Sequence, residues 1–146
     1  HYPLPVIMIE PPGQSYCQAW SAFVQDQLAA GGYVGEADLG LFEITASIEQ
    51  AVERIEQFYR RYHSLRFVGD QLVIRMRSVL PSEALDRLPA TFGDLLRPDG
   101  AFTMHTAALS AEADEPSITA LPRLVVDFDR TCFPRLKALI DFINQA

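Results

Sequence analysis

Pro5-Val6-Ile7-Met8-Ile9 is an unbroken apolar run, followed by the turn-forming stretch Glu10-Pro11-Pro12-Gly13-Gln14-Ser15-Tyr16. A continuous run of this length reads as a strand buried on both faces, the pattern of a parallel sheet. Ser15-Tyr16-Cys17-Gln18 has the Ser-x-x-Gln form of a capping box. Behind it Tyr16, Trp20, Phe23, Val24 and Leu28 recur at helical spacing and stop at Gly31-Gly32. Leu39 to Ile44 is a short strand-like stretch, and Ser47-Ile48-Glu49-Gln50 repeats the capping form. It opens a helix whose stripe is Ile48, Val52, Ile55, Phe58/Tyr59 and Tyr62. Strand, helix, strand and helix joined this closely predict a βαβ unit with a right-handed crossover. The first strand needs neighbours, so the chain is expected to enter on a late strand of a larger α/β domain.

The second half changes character. Leu72-Val73-Ile74-Arg75-Met76-Arg77 ends in alternation, the mark of a strand wet on one face. Pro81 to Leu96 is helical in pattern, with Pro89 expected to kink or split it. Ala101 to Thr106 is a weaker strand, and Ser110 to Ala120 is a polar loop containing Glu112, Asp114, Glu115 and Pro116. Leu124-Val125-Val126-Asp127-Phe128-Asp129 is a strand, and Thr131 is placed to cap a last helix striped by Leu136, Leu139, Ile140 and Ile143. From about residue 70 onward the order is β-α-β-β-α, a ferredoxin-like sandwich or a close variant. The turn Val68-Gly69-Asp70 marks the expected boundary between the two parts.

Composition narrows the classes. With 146 residues, 49% hydrophobic and 21% charged, the chain has the make-up of an ordinary globular protein. No apolar run approaches the roughly 20 residues of a membrane span, and no secretory leader is recognisable, so a cytoplasmic location without membrane partners is expected. A net charge of −7 disfavours nucleic acid as a partner. Cys17 and Cys132 are distant in sequence and show no metal-ligand spacing, which favours two reduced thiols. Glu112, Asp114 and Glu115 lack the alternation and glycine turn of a calcium loop, so no metal is expected and a solvated loop is the simpler reading.

Two stretches carry a family likeness. Pro5-Val6-Ile7-Met8-Ile9, the loop with Gly13 and Tyr16, Gly32-Tyr33-Val34 and Leu41-Phe42-Glu43-Ile44 resemble the closing βαβ of the LOG-like, or "lysine decarboxylase-like", proteins. Phe58-Tyr59-Arg60-Arg61-Tyr62-His63-Ser64, with Arg66 and Val68-Gly69-Asp70, resembles the extension that longer bacterial members carry after their core. The resemblance implies an α/β chain made of the terminal βαβ(α) of a Rossmann-like sheet over residues 1–68 and a small ferredoxin-like βαββα α+β domain over residues 69–146. It also implies a nucleotide-binding parent that cleaves the N-glycosidic bond of a nucleoside 5′-monophosphate. That chemistry rests on a Pro-Gly-Gly-x-Gly-Thr-x-x-Glu loop and an upstream arginine, and this sequence contains neither. No catalytic residue is therefore carried over, and no cofactor is expected.

Several residues nonetheless invite a functional reading. Gly13, Ser15 and Tyr16 follow the carboxyl end of a parallel strand, where ligands bind in open α/β sheets and where a helix start suits a phosphate. The alternative is a plain connector with a capping serine. Arg60, Arg61, His63 and Arg66, with Arg75 and Arg77 beyond, form the densest basic run and suit a nucleotide or other anionic small molecule. The structural alternative places the first of these at a helix end and lets Asp127 and Asp129 offset Arg75 and Arg77 across the sheet. Cys17 at a helix start is a candidate reactive thiol, with His63, His105 or His1 as the available bases, although nothing in the spacing unites them. Phe58, Tyr59 and Tyr62 read as core aromatics rather than a base-stacking platform. Three functions remain open: a non-catalytic accessory or oligomerisation region that self-associates or joins the rest of a Rossmann core, a regulatory anion-binding module, and a hydrolase using Cys17 or Glu10.

Overall fold

The computed structural model describes residues 3–112, 116–131 and 133–146. His1, Asp114, Glu115 and Cys132, all singled out above, lie outside the described residues. The chain divides into two compact units, one of residues 3–58 and one that begins at Tyr59. Each is a mixed α and β structure, one around a parallel strand pair and the other around a four-stranded antiparallel sheet.

In the first unit β1 (Val6–Ile9) and β2 (Phe42–Thr45) pair in parallel, Val6 opposite Phe42 and Ile9 opposite Thr45. Between them α1 (Tyr16–Phe23) continues into a π-helical turn over Val24–Ala29. The turn ends at Gly31-Gly32 because only glycine fits there. A Cβ on Gly31 would lie 2.6 Å from the Gln27 carbonyl oxygen, and Gly32 sits at φ +73°. α2 (Ile48–Phe58) follows β2. Its start keeps the expected cap: the Gln50 amide donates to Ser47 Oγ at 3.3 Å, and Gln50 Oε1 accepts from the Ala46 amide at 3.0 Å. β1, read as buried on both faces, is not: Val6 and Ile9 are exposed. Among the described residues its one strand neighbour is β2.

The second unit contains β3 (Tyr62–Val68), β4 (Gln71–Met76), α3 (Ser82–Phe92), β5 (Phe102–His105), β6 (Arg123–Val126) and α4 (Phe133–Gln145). The sheet order is β3-β4-β6-β5, every pair antiparallel, so β6 inserts between β4 and β5 of a β-α-β crossover. α4 and the strand face bearing Phe67 meet through Phe133, 6.2 Å between ring centres. Leu136, Leu139, Ile140 and Ile143 are buried, as their spacing predicts. α3 continues through Pro89 without splitting, and Leu88 and Phe92 in its last turns are buried.

The sequence reading placed Tyr59 to Tyr62 in the helix before the boundary at 68–70. The structure ends α2 at Phe58 and makes residues 62–68 a strand, while Val68-Gly69-Asp70 becomes the hairpin between β3 and β4. The cause is spacing: Phe58 and Tyr62, four apart, are both buried and so continue the helical stripe although the chain has already turned into a strand. β3 also carries a bulge, Tyr62 opposing Met76 but Ser64 opposing Arg75. β4 also departs from expectation. Leu72, Val73, Ile74, Arg75 and Met76 are all buried, so neither face of this strand is wet.

Candidate functional site

The carboxyl ends of β1 and β2 open into a cavity of about 390 Å³ bordered by Glu10, Gly13, Gln14, Thr45, Ala46 and Gln50. Backbone pairing continues past β1 to Glu10, whose amide donates to the Thr45 carbonyl at 2.8 Å. This fixes the Glu10 side chain beneath α1. Its Oε1 accepts the Cys17 amide at 2.5 Å and its Oε2 accepts the Gln18 amide at 3.2 Å. A buried carboxylate therefore fills the anion seat at the start of α1. Ser15 makes no side-chain cap bond, so the expected capping box is replaced by a carboxylate from the preceding strand end. Glu10→Ala is expected to remove this cap and lower stability by about 0.5–2 kcal/mol, measurable as a fall in Tm.

The proposed ligand residues separate in the structure. Gly13, at φ +83°, borders the cavity, but Ser15 is exposed and Tyr16 is 80% exposed. Arg60 is exposed in the turn between α2 and β3, so the expected helix-end setting does not apply to it. The Arg61 guanidinium donates to the Val79 carbonyl, and His63 Nδ1 lies 2.9 Å from Ser64 Oγ. Arg66 is half-buried on β3. A second cavity, about 460 Å³, is bordered by Arg97, Asp99, Gly100 and Asp127. Neither of these two cavities is lined by Arg60, Arg61, His63 or Arg66. Cys17 is half-buried in the first unit, whereas His63 and His105 belong to the second. Among the described residues no cluster of His, Cys, Asp and Glu is arranged to hold a metal ion, and no helix is long and apolar enough to cross a membrane.

The strand arginines find a partner that the sequence reading leaves in a solvated loop. Glu112, expected in a solvated loop, is fully buried between Arg75 and Arg123. Arg75 Nε and Nη2 lie 2.9 and 2.8 Å from Glu112 Oε1, and Arg123 Nε lies 2.9 Å from Oε2. The Leu109 amide adds a fourth donor at 3.3 Å. Burial alone raises the Glu112 pKa, but the hydrogen bonds from Arg123 and Arg75 outweigh it and hold the carboxyl below its ordinary value. Arg123 Nη1 also donates to the Leu121 and Thr119 carbonyls, while its Nη2 is buried with no hydrogen-bond partner among the described residues. Asp127 does not offset Arg75. It accepts from Gln71 Nε2 and the Ala101 amide, both at 3.0 Å, and these bonds with nearby Arg97 depress its pKa. Asp129 accepts instead from the Thr131 amide and hydroxyl.

The surface of the first unit is its most unusual property. Eleven of the thirteen exposed large hydrophobic side chains among the described residues fall within residues 3–58, including Val6, Ile9, Trp20, Phe23, Tyr33 and Ile48. Charge is divided just as unevenly. Residues 3–58 hold eight carboxylates against one cation, Arg54, whereas residues 59–146 hold eleven of each. The exposed apolar side chains lie on both the strands and the helices of this unit. Comparison with protein families, curated proteins and solved structures found no match for the chain.

Proposed function

We propose that the chain is a non-catalytic accessory and assembly region of a LOG-like nucleotide-binding protein. In this reading residues 3–58 supply the closing strands of a Rossmann-like sheet. The single observation that carries it is the exposed apolar surface on and around a parallel strand pair. A parallel sheet is stable when both faces are covered, and β1 and β2 present unpaired outer edges to a strand donor. The residues from Tyr59 onward form the accessory domain. Their order is ferredoxin-like, with β3 supplying the edge strand ahead of β4 rather than after α4. The partner is the remainder of a Rossmann core, and the parent's chemistry is N-glycosidic cleavage of a nucleoside 5′-monophosphate.

Sedimentation velocity tests the proposal directly. The chain on its own is expected to self-associate or aggregate as concentration rises, because the apolar surface and open strand edges find substitutes in other copies. A compact monomer persisting at high concentration would refute the assembly role.

A further inference from the structure

The exposed face of α2 has an order of its own, distinct from the strand edges. Ile48, Val52 and Ile55 are 67%, 46% and 43% exposed. Their spacing of four and three places them in one row along the helix. Ala51 and Phe58 are the buried residues of this helix, so the Ile48 row is not its buried face. Glu49, Glu53 and Glu56 repeat the same spacing one residue later and form an adjoining acidic row. The helix is thus apolar and uncovered along one row and anionic along the next, over a length of about 10 Å.

We infer that this double row is a docking site for a cationic amphipathic helix of a partner protein. Anchors at i, i+4 and i+7 suit a helix laid alongside, with the partner's apolar residues on the Ile48 row and its lysines or arginines over the Glu49 row. Charge selects that partner over the same helix of a second copy, which cannot lay its own row against this one. A copy brings the same three glutamates, and the sole cation of residues 3–58, Arg54, is already 3.3 Å from Glu43.

The test uses the whole chain and a fluorescent synthetic helix of leucine and lysine, read by anisotropy, with a leucine and glutamate helix as control. Saturable binding of the lysine helix alone is expected, weakening steeply with salt. Val52→Ser with Ile55→Ser should weaken it about tenfold or more, since two partly buried aliphatic contacts are lost. Glu53→Lys with Glu56→Lys should weaken it and flatten the salt dependence. All four positions are on the outer surface of α2, and circular dichroism should show every variant folded. Equal binding of both helices, or an equal loss from Phe23→Ser, would overturn the inference. So would a dimer of the free chain that Val52→Ser with Ile55→Ser abolishes, because the occupant would then be a second copy. Self-association through the strand edges is expected to survive those α2 substitutions, so failure here and failure of the assembly role are read separately.

Discussion

Glu112→Ala is expected to cost about 3–5 kcal/mol of stability in urea unfolding, the largest single effect anticipated for this chain. The substitution strands two guanidinium groups in a buried setting, since Arg75 and Arg123 are each almost wholly enclosed. Removing the charge cluster as a unit has a different outcome. Arg75→Met, Glu112→Leu and Arg123→Leu together are expected to restore most of the loss, because the desolvation of all three ions disappears with their attraction. The pH dependence follows from the lowered pKa of Glu112. Its contribution is complete above the ordinary glutamate value of 4.5 and drains away as pH falls through the depressed folded value. Glu112→Gln should therefore flatten the acid limb of the stability profile. An unchanged acid limb would show that protonation of Glu112 does not govern acid unfolding.

Asn144→Leu is expected to cost about 1–3 kcal/mol, the next largest effect. Asn144 Oδ1 accepts the amides of Arg61 and Tyr62, both at 2.9 Å, and so ties the last turn of α4 to the entry of β3. The side chain is buried, and a leucine of similar size leaves two donors without an acceptor. Asn144→Asp retains the acceptor and should recover part of the loss. The measurement is again the urea midpoint at constant slope. If Asn144→Leu matches the parent chain, water satisfies both amides and the tie is dispensable.

These two sites also show which parts of the architecture could be read in advance. Periodicity placed β1, α1, α2 and α4 close to their observed positions, because each satisfies a local pattern by itself. It misplaced residues 59–68, since buried Phe58 and Tyr62 keep a four-residue interval across the turn from helix to strand. It also misjudged β4, where Arg75 reads as a solvent position until Glu112, remote in sequence, is brought onto it. Glu10 reads in the sequence as a loop residue and a candidate catalyst, not as a helix cap. Its capping role depends on the pairing of its own backbone with Thr45, which no local window contains. Of the expected ligand residues, Gly13 alone borders a described cavity. The basic run looked like one feature because it is contiguous in sequence, but a strand sends successive side chains to opposite faces.

The uneven division of charge has a kinetic consequence. A body with eight carboxylates and a single cation projects a negative potential well past its contact surface, reaching about 10 Å at 0.1 M salt. Positively charged molecules would be drawn toward residues 3–58 and turned before touching, whereas the balanced remainder exerts no comparable long-range pull. Diffusional encounter would thus be fast in dilute buffer and slow markedly as ions are added, even where the final affinity comes from apolar contact.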